Sequence, residues 1–312
     1  MTTAGFGGLL AAFGAFCYAL SSVSIAKSSQ SVQGRGNDVL ISVLMTAVVS
    51  GALWLLLGPT MPELGLGALI GAAYFVAAGV LGNVVGRLTL FRSVELAGAI
   101  ETGFIRRLIP VFAALLAFFL LGEVITTPVV IAFFLVASGV VIMMSRASVK
   151  SASDLAVGDP DPREKNKGRA MAVASAAGYG GSFVSRKLAM QTLPDPLAGV
   201  FIGAMTGLMW FAVSWVFRFK SRNALSWRIQ RPSRWQLLAG SSMTVGQVAL
   251  FFSLMFTDVT VVAIMSSIEM FFAAWLAGHI FKTERRPGPR FYLSSALAAT
   301  GVTLLALAPR FG

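Results

Sequence analysis

Long apolar runs alternate along this chain with short polar connections. Stretches long enough to cross a bilayer, about 17 to 25 residues each, lie at about 5–26, 39–57, 64–86, 97–120 and 127–145. Five more follow at about 169–189, 196–217, 235–256, 259–281 and 290–308. Hydrocarbon offers no partner for a free backbone group, so each span is expected to be a helix. The first and sixth are the least hydrophobic, being rich in Gly, Ala and Ser. The pattern predicts an all-α membrane protein with ten transmembrane helices.

The two sets of five keep register. Adding 161 takes Tyr18 to Tyr179, Gln30 to Gln191, Trp54 to Trp215, Gly79 to Gly240, Phe91 to Phe252, Leu115 to Leu276 and Glu123 to Glu284. An offset held over more than a hundred residues points to a duplicated unit. Each unit crosses five times, an odd number, so the second copy enters from the opposite side. The expectation is two inverted five-helix repeats related by a pseudo-two-fold axis in the membrane plane. The first repeat is read at 1–146, a flexible linker at 147–168 and the second repeat at 169–312. Asp154, Gly158, Asp159, Pro160, Asp161 and Pro162 give the linker its mixed charge and turn chemistry.

Composition agrees. Of 312 residues 56% are hydrophobic and 12% charged, with mean hydropathy +0.78, against roughly 25% charged in soluble domains. A net charge of +12 would suggest nucleic acid in a soluble protein, but here its placement explains it. With the N-terminus on one side, twenty Lys and Arg fall in connections on the other. Three (Arg186, Lys187, Arg310) share the N-terminal side, and Arg106 and Arg107 lie inside a span. By the positive-inside rule the twenty face the cytoplasm and both termini are extracytoplasmic. The basic connection 218–234, with Trp227 and Ile229 interleaved, either rests on anionic membrane lipid or only sets topology. No basic residue precedes the first apolar run, so that span reads as a retained helix and not a cleaved signal. The lone Cys17 excludes an intrachain disulfide. One His and one Cys cannot form a His/Cys metal site of the usual kind.

An ionisable residue at mid-membrane costs about 2.5–3.5 kcal/mol on insertion scales and is by default a functional hypothesis. Four qualify: Glu101, Arg106, Arg107 and Glu269. Glu269 corresponds by the offset to position 108, so it shares the depth of Arg107, and a neutralising contact is reachable. Either that pair statically holds the halves together or it exchanges partners in transport. Neighbours on a helix point about 100° apart, so Arg106 and Arg107 cannot face one direction. Glu101 has no i,i+4 basic partner and is a candidate for protonation, or else meets a distant cation. Asn83 and Gln247 could hydrogen-bond a substrate or join helices. Tyr18 and Tyr179 could stack on a ligand or pack. Trp54 and Trp215 read as interfacial aromatics, Glu123 and Glu284 as turn and capping groups, and His279 as a group able to titrate near neutrality. Gly67/Gly71, Gly82/Gly86 and Gly203/Gly207 permit tight helix packing.

The segment Leu96–Thr126 (LAGAIETGFIRRLIPVFAALLAFFLLGEVIT) resembles the fourth span of the drug/metabolite transporter superfamily, in its ten-helix EamA-type branch. Pro110, Gly122, Glu123 and Thr126 stand at the motif positions, and Gly139 before Val-Val-Ile resembles the glycine of the fifth span. In the second copy Glu284 and Gly301 match, while Phe271 replaces the proline and Thr283 the glycine. The resemblance implies an alternating-access secondary transporter exporting a small metabolite, in a bacterial inner (plasma) membrane. Its central cavity would be lined mainly by the first, third and fourth helices of each repeat. The charge count departs from the family, many of whose members start and end in the cytoplasm. No G-x-x-x-x-G-K-[ST] motif occurs, so ATP is no evident energy source, and no cofactor is implied. Glu101 or Glu269 could couple transport to protons. The competing classes are a lipid-acting intramembrane enzyme, for which no paired acids or nucleophile–base pair stand out, and a non-transporting subunit or lipid scaffold.

Overall fold

The computed structural model describes residues 3–29, 38–58, 65–97, 105–144, 162–219, 233–282 and 289–307. All regular structure there is helical. The first five expected spans become α1 (Thr3–Ser29), α2 (Asp38–Leu57), α3 (Leu66–Gly79) with α4 (Arg87–Ala97), α5 (Ile109–Leu121) and α6 (Thr127–Met144). The second five become α7 (Pro162–Thr192), α8 (Pro196–Phe219), α9 (Arg234–Phe256), α10 (Val259–Ser266) with α11 (Glu269–Trp275), and α12 (Pro289–Leu307). Helix α7 begins at Pro162, inside the segment read as linker, because proline suits the first helical turn.

Among the described residues six helices are long and apolar enough to cross a membrane: Gly5–Ser24, Leu40–Leu57, Leu66–Leu90, Pro196–Ser214, Arg234–Phe256 and Val259–Ile280. Thr127–Gly139 and Phe291–Leu304 are shorter apolar helices. The shortfall from ten has visible causes. Helix α5 starts late, behind a 3-10 turn at Arg106–Leu108 and Pro110, and α7 carries charges at both ends, from Arg163 to Lys187.

The molecule is apolar outside, and its largely apolar core also buries hydroxyl side chains. Leu56, Phe119 and Met209 are 80%, 75% and 70% exposed, while Ser24, Ser50, Ser175 and Ser253 are fully buried. The buried hydroxyls donate to carbonyls: Ser50 to Thr46 (2.5 Å), Ser175 to Gly86 (2.7 Å) and Ser253 to Gly7 (2.7 Å).

Helix contacts come in mates under the 161-residue offset. Helix α1 packs on α9 as α7 packs on α3 and α4; α1 meets α10 and α11 as α7 meets α5. Helix α2 packs on α9 as α8 packs on α3. The pairs α2–α8 and α6–α12 are their own mates.

Three spans are locally reshaped. Between α3 and α4 the chain widens into a π turn at Val80–Gly86. The fourth spans break at equivalent places. Arg106–Leu108 forms the 3-10 turn before α5, and its offset equivalents include the Ser267–Ile268 joint between α10 and α11. There Ser267, Ile268 and Phe271 donate to carbonyls three residues back. In the first copy Pro110 cannot continue an α ladder. In the second the joint persists with Phe271 in its place.

Candidate functional site

Two adjoining cavities lie where the halves meet, each of about 10 Å³, the room of roughly one water molecule. Both are lined by Asn83, Ala204 and Gln247. One lobe adds Ser42, Thr46, Arg87 and Met243; the other adds Phe75, Val200, Phe251 and Arg186. Their walls come from α2, α3, the π turn, α4 and α7–α9. The second and third helices of each repeat and the first of the second repeat therefore contribute, whereas α1 and the two fourth spans, which the resemblance implied, supply no lining residue among the described residues. The π turn carries Asn83, and such turns accompany functional sites because they reposition side chains.

The anticipated residues distribute as follows. The Asn83 amide donates to the Gly203 carbonyl across to α8 at 3.0 Å, so part of it is spent on joining helices while the side chain lines both lobes. Gln247 lines both as well. Half-buried Tyr18 has Arg186, Glu269, Arg87 and Tyr179 within electrostatic reach. Tyr179 packs on Gly86 and lies under the Arg106 guanidinium, whose centre is 5.1 Å from the ring centroid. Arg107 turns away and lines a larger lateral crevice of about 230 Å³ with Pro110, Phe133, Ala137 and Ile264. Glu269 is within electrostatic reach of Arg107, but no direct ion pair joins them among the described residues. The Glu269 carboxylate accepts from the Ser22 hydroxyl at 3.2 Å. Glu101 and Glu284 lie outside the described residues.

Arg186 was counted in a connection on the N-terminal side; the structure corrects that. It sits inside α7, only 9% exposed, beside the rings of Phe183 and Phe251 (5.5 and 4.7 Å to the centroids). Its place seven residues after Tyr179 and four after Ser182 puts all three on one helix face, a spacing from which its role was readable. Arg87, also assigned to a connection, is equally buried.

One end of the bundle, where α5, α7 and α9 finish, is tied across the halves. Glu123 accepts from Val259 N–H (2.7 Å), Thr260 N–H (3.2 Å) and the Thr260 hydroxyl (2.9 Å). It thereby caps α10, whose own N-cap residue Asp258 makes no side-chain cap. Within the second half, Lys187 donates to the Leu254 and Thr257 carbonyls at 2.6 and 3.0 Å, which satisfies the end of α9. The Trp54 indole N–H donates to Asp195 at 2.6 Å while Asp195 caps α8 through Leu197 and Ala198. Trp54 is thus an inter-half tie, where an interfacial aromatic was expected. The His279 imidazole stays local, with Nδ1 3.2 Å from the Trp275 carbonyl.

Residues 5–145 match the EamA-like transporter family, and residues 166–307 match it again. The chain belongs to the EamA-like transporter family. The second EamA match starts 161 residues after the first (166 − 5), the offset read from individual residues. Membership makes the chain an integral membrane protein of a transporter family within the drug/metabolite type. No curated protein matches. Among solved structures, 29 chains match. One, described only as a crystal structure of a protein, superposes with TM-score 0.71 at 16% identity, covering 98% of this chain and 97% of that one. At that identity the likeness is of fold. The EamA motif residues have clear local roles: Gly122 takes φ 68 to stop α5, and Glu123 then reaches α10. In the second copy Thr283 replaces that glycine and Lys282, one residue earlier, takes the left-handed φ of 52. A β-branched residue is poorly suited to that region.

Proposed function

We propose that this EamA protein is a secondary transporter that exports a small metabolite by alternating access through the central cavity. The supporting observation is that the cavity is walled by both repeats, whose helix contacts exchange under the 161-residue offset. We read the halves as inverted five-helix repeats, ten crossings in all, occupying 1–146 and 169–312 with the linker between them. Discontinuous spans at the repeat interface are how transporters expose backbone and side chains to a solute at mid-depth. The breaks at Arg106–Leu108 and Ser267–Ile268 fit that pattern. The Glu123 and Trp54–Asp195 ties across the halves would close the extracytoplasmic end, and their release would open it. Both termini are assigned outside the cytoplasm of a bacterial inner membrane.

Tyr18, Tyr179, Asn83 and Gln247 are assigned to the solute, and Arg106 to holding Tyr179. Arg107 and Glu269 act between the halves, with Glu269 and Glu101 taking the coupling proton. The test uses proteoliposomes loaded with a metabolite extract, with efflux followed by mass spectrometry with and without an imposed pH gradient. Wild-type protein should release a defined solute, and the gradient should drive it uphill. Glu269→Gln or Glu101→Gln should abolish the gradient-driven part and leave exchange at equal concentrations. Efflux no faster than from protein-free liposomes would sink the transport reading. Indifference to the gradient would remove proton coupling alone.

A further inference from the structure

Two arginines line the central cavity, Arg186 and Arg87, and both are nine-tenths buried. Neither makes a hydrogen bond or ion pair among the described residues. The Arg186 Nε is buried without a partner. Its guanidinium lies by the Phe183 and Phe251 rings, a contact that uses the π faces and leaves N–H donors unspent. The groups acting on it electrostatically are the Tyr18 and Tyr179 phenols, with no carboxylate among them. Glu269 acts on Tyr18 and Arg107 and takes its hydrogen bond from Ser22.

The next residue along is a useful contrast. Lys187 spends its ammonium on two carbonyls at the end of α9. Arg186 sits one position away and has been given no acceptor. A buried cation with no counter-ion is unfavourable, and is retained where a ligand supplies the anion. The lobe around Arg186 has Phe75, Val200 and Phe251 on its wall beside the neutral amides of Asn83 and Gln247.

We infer that Arg186 and Arg87 form an anion-binding centre, and that the solute carried is a small organic anion, carboxylate or phosphate, with an apolar body. The identity of the solute rests on the transport reading; the binding centre does not. The Arg186 guanidinium would meet the anion while Phe75 and Phe251 cover the body and Gln247, which makes no hydrogen bond among the described residues, adds a donor. Lodging it requires the lobes to open beyond their present size.

The test is heat unfolding of the purified full chain in detergent, with rising benzoate, phenyl phosphate or neutral benzyl alcohol. At least one anion should raise the midpoint saturably, and benzyl alcohol should not; which anion acts separates carboxylate from phosphate. Arg186→Gln should abolish the shift, and Arg186→Lys should need at least tenfold more anion for half the effect. Ligand-free Arg186→Gln should unfold no earlier than wild type, because an unpaired buried charge has been removed; an arginine with a purely structural role would lower the midpoint. If Arg186→Gln does not fold, Arg87→Gln and Arg186→Lys carry the test, and anion binding unchanged in both overturns the centre. So do a shift equal with benzyl alcohol, no shift with either anion, or a shift retained in Arg186→Gln. Anion binding without flux in proteoliposomes would instead defeat the transport reading and leave the centre standing. Flux of a neutral solute that ignores Arg186→Gln would overturn the anionic solute and leave the transport reading standing.

Discussion

Glu123 lies just past the end of α5, yet its carboxylate holds the first amides of α10 in the other half. Truncating it strands two backbone donors at a helix start, which costs about 1–3 kcal/mol when such groups are buried. Glu123→Ala should therefore lower the unfolding midpoint clearly, and Glu123→Gln, which keeps one acceptor oxygen, by less. A Glu123→Ala protein that melts with wild type would show the cap to be dispensable. The sequence marked Glu123 as a capping residue but not whose helix it caps, since that partner is 136 positions away. Local spacing carries no such information. Arg186 was legible in a different sense: the apolar run 169–189 already contained it, but its place near the end of that run made it look like connection charge. Depth along a helix is a property of packing, and α7 continues to Thr192.

Among the elements, the fifth spans explain the family's glycines. A Cβ at Gly139 would stand 2.7 Å from the Ser294 carbonyl oxygen, and one at Gly301 3.0 Å from that of Ala132. Backbone therefore meets backbone between α6 and α12, and neither oxygen can move aside as a side-chain tip could. Gly139→Ala should destabilise by about 1–3 kcal/mol, the usual cost of overpacking. Gly67→Ala, with nothing within 4 Å, should gain up to about 1 kcal/mol from helix propensity. The comparison of midpoints decides it: Gly139→Ala melting no earlier than Gly67→Ala would discard the close-approach account. Four-residue glycine spacing alone could not have separated these cases. Gly82 and Gly86 pack on Ser182 and Tyr179, while Gly67 and Gly203 face open space. Apolar run length located the helices well, because hydrocarbon forces each run to be helical. It was blind to the π turn at Val80–Gly86 and the joint at Ser267–Ile268. Those departures leave the apolar run unbroken, and the joint carries no proline to announce it.

For the whole molecule, the offset of 161 residues recurs in three independent ways: in matched residues, in the two family matches and in the exchange of helix contacts. The orientation proposed for that assembly rests on charge. Arg87 and Arg186 prove to be cavity groups and should be removed from the count, one from each side. That leaves nineteen Lys and Arg against two, so the bias is not an artefact of misplaced arginines. The nineteen include the cluster from Arg146 to Arg169 and the basic stretch 218–234, which a cytoplasmic surface retains. A reporter active only outside the cytoplasm should therefore work when fused after Gly312 and be silent when inserted at 150–165. An odd number of crossings in each repeat requires those two sites to lie on opposite sides, so equal signals would contradict the inverted five-helix reading itself. The reversed pattern would keep the repeats and overturn only the orientation, moving the Glu123 and Trp54–Asp195 ties from the outer end of the cavity to the cytoplasmic one.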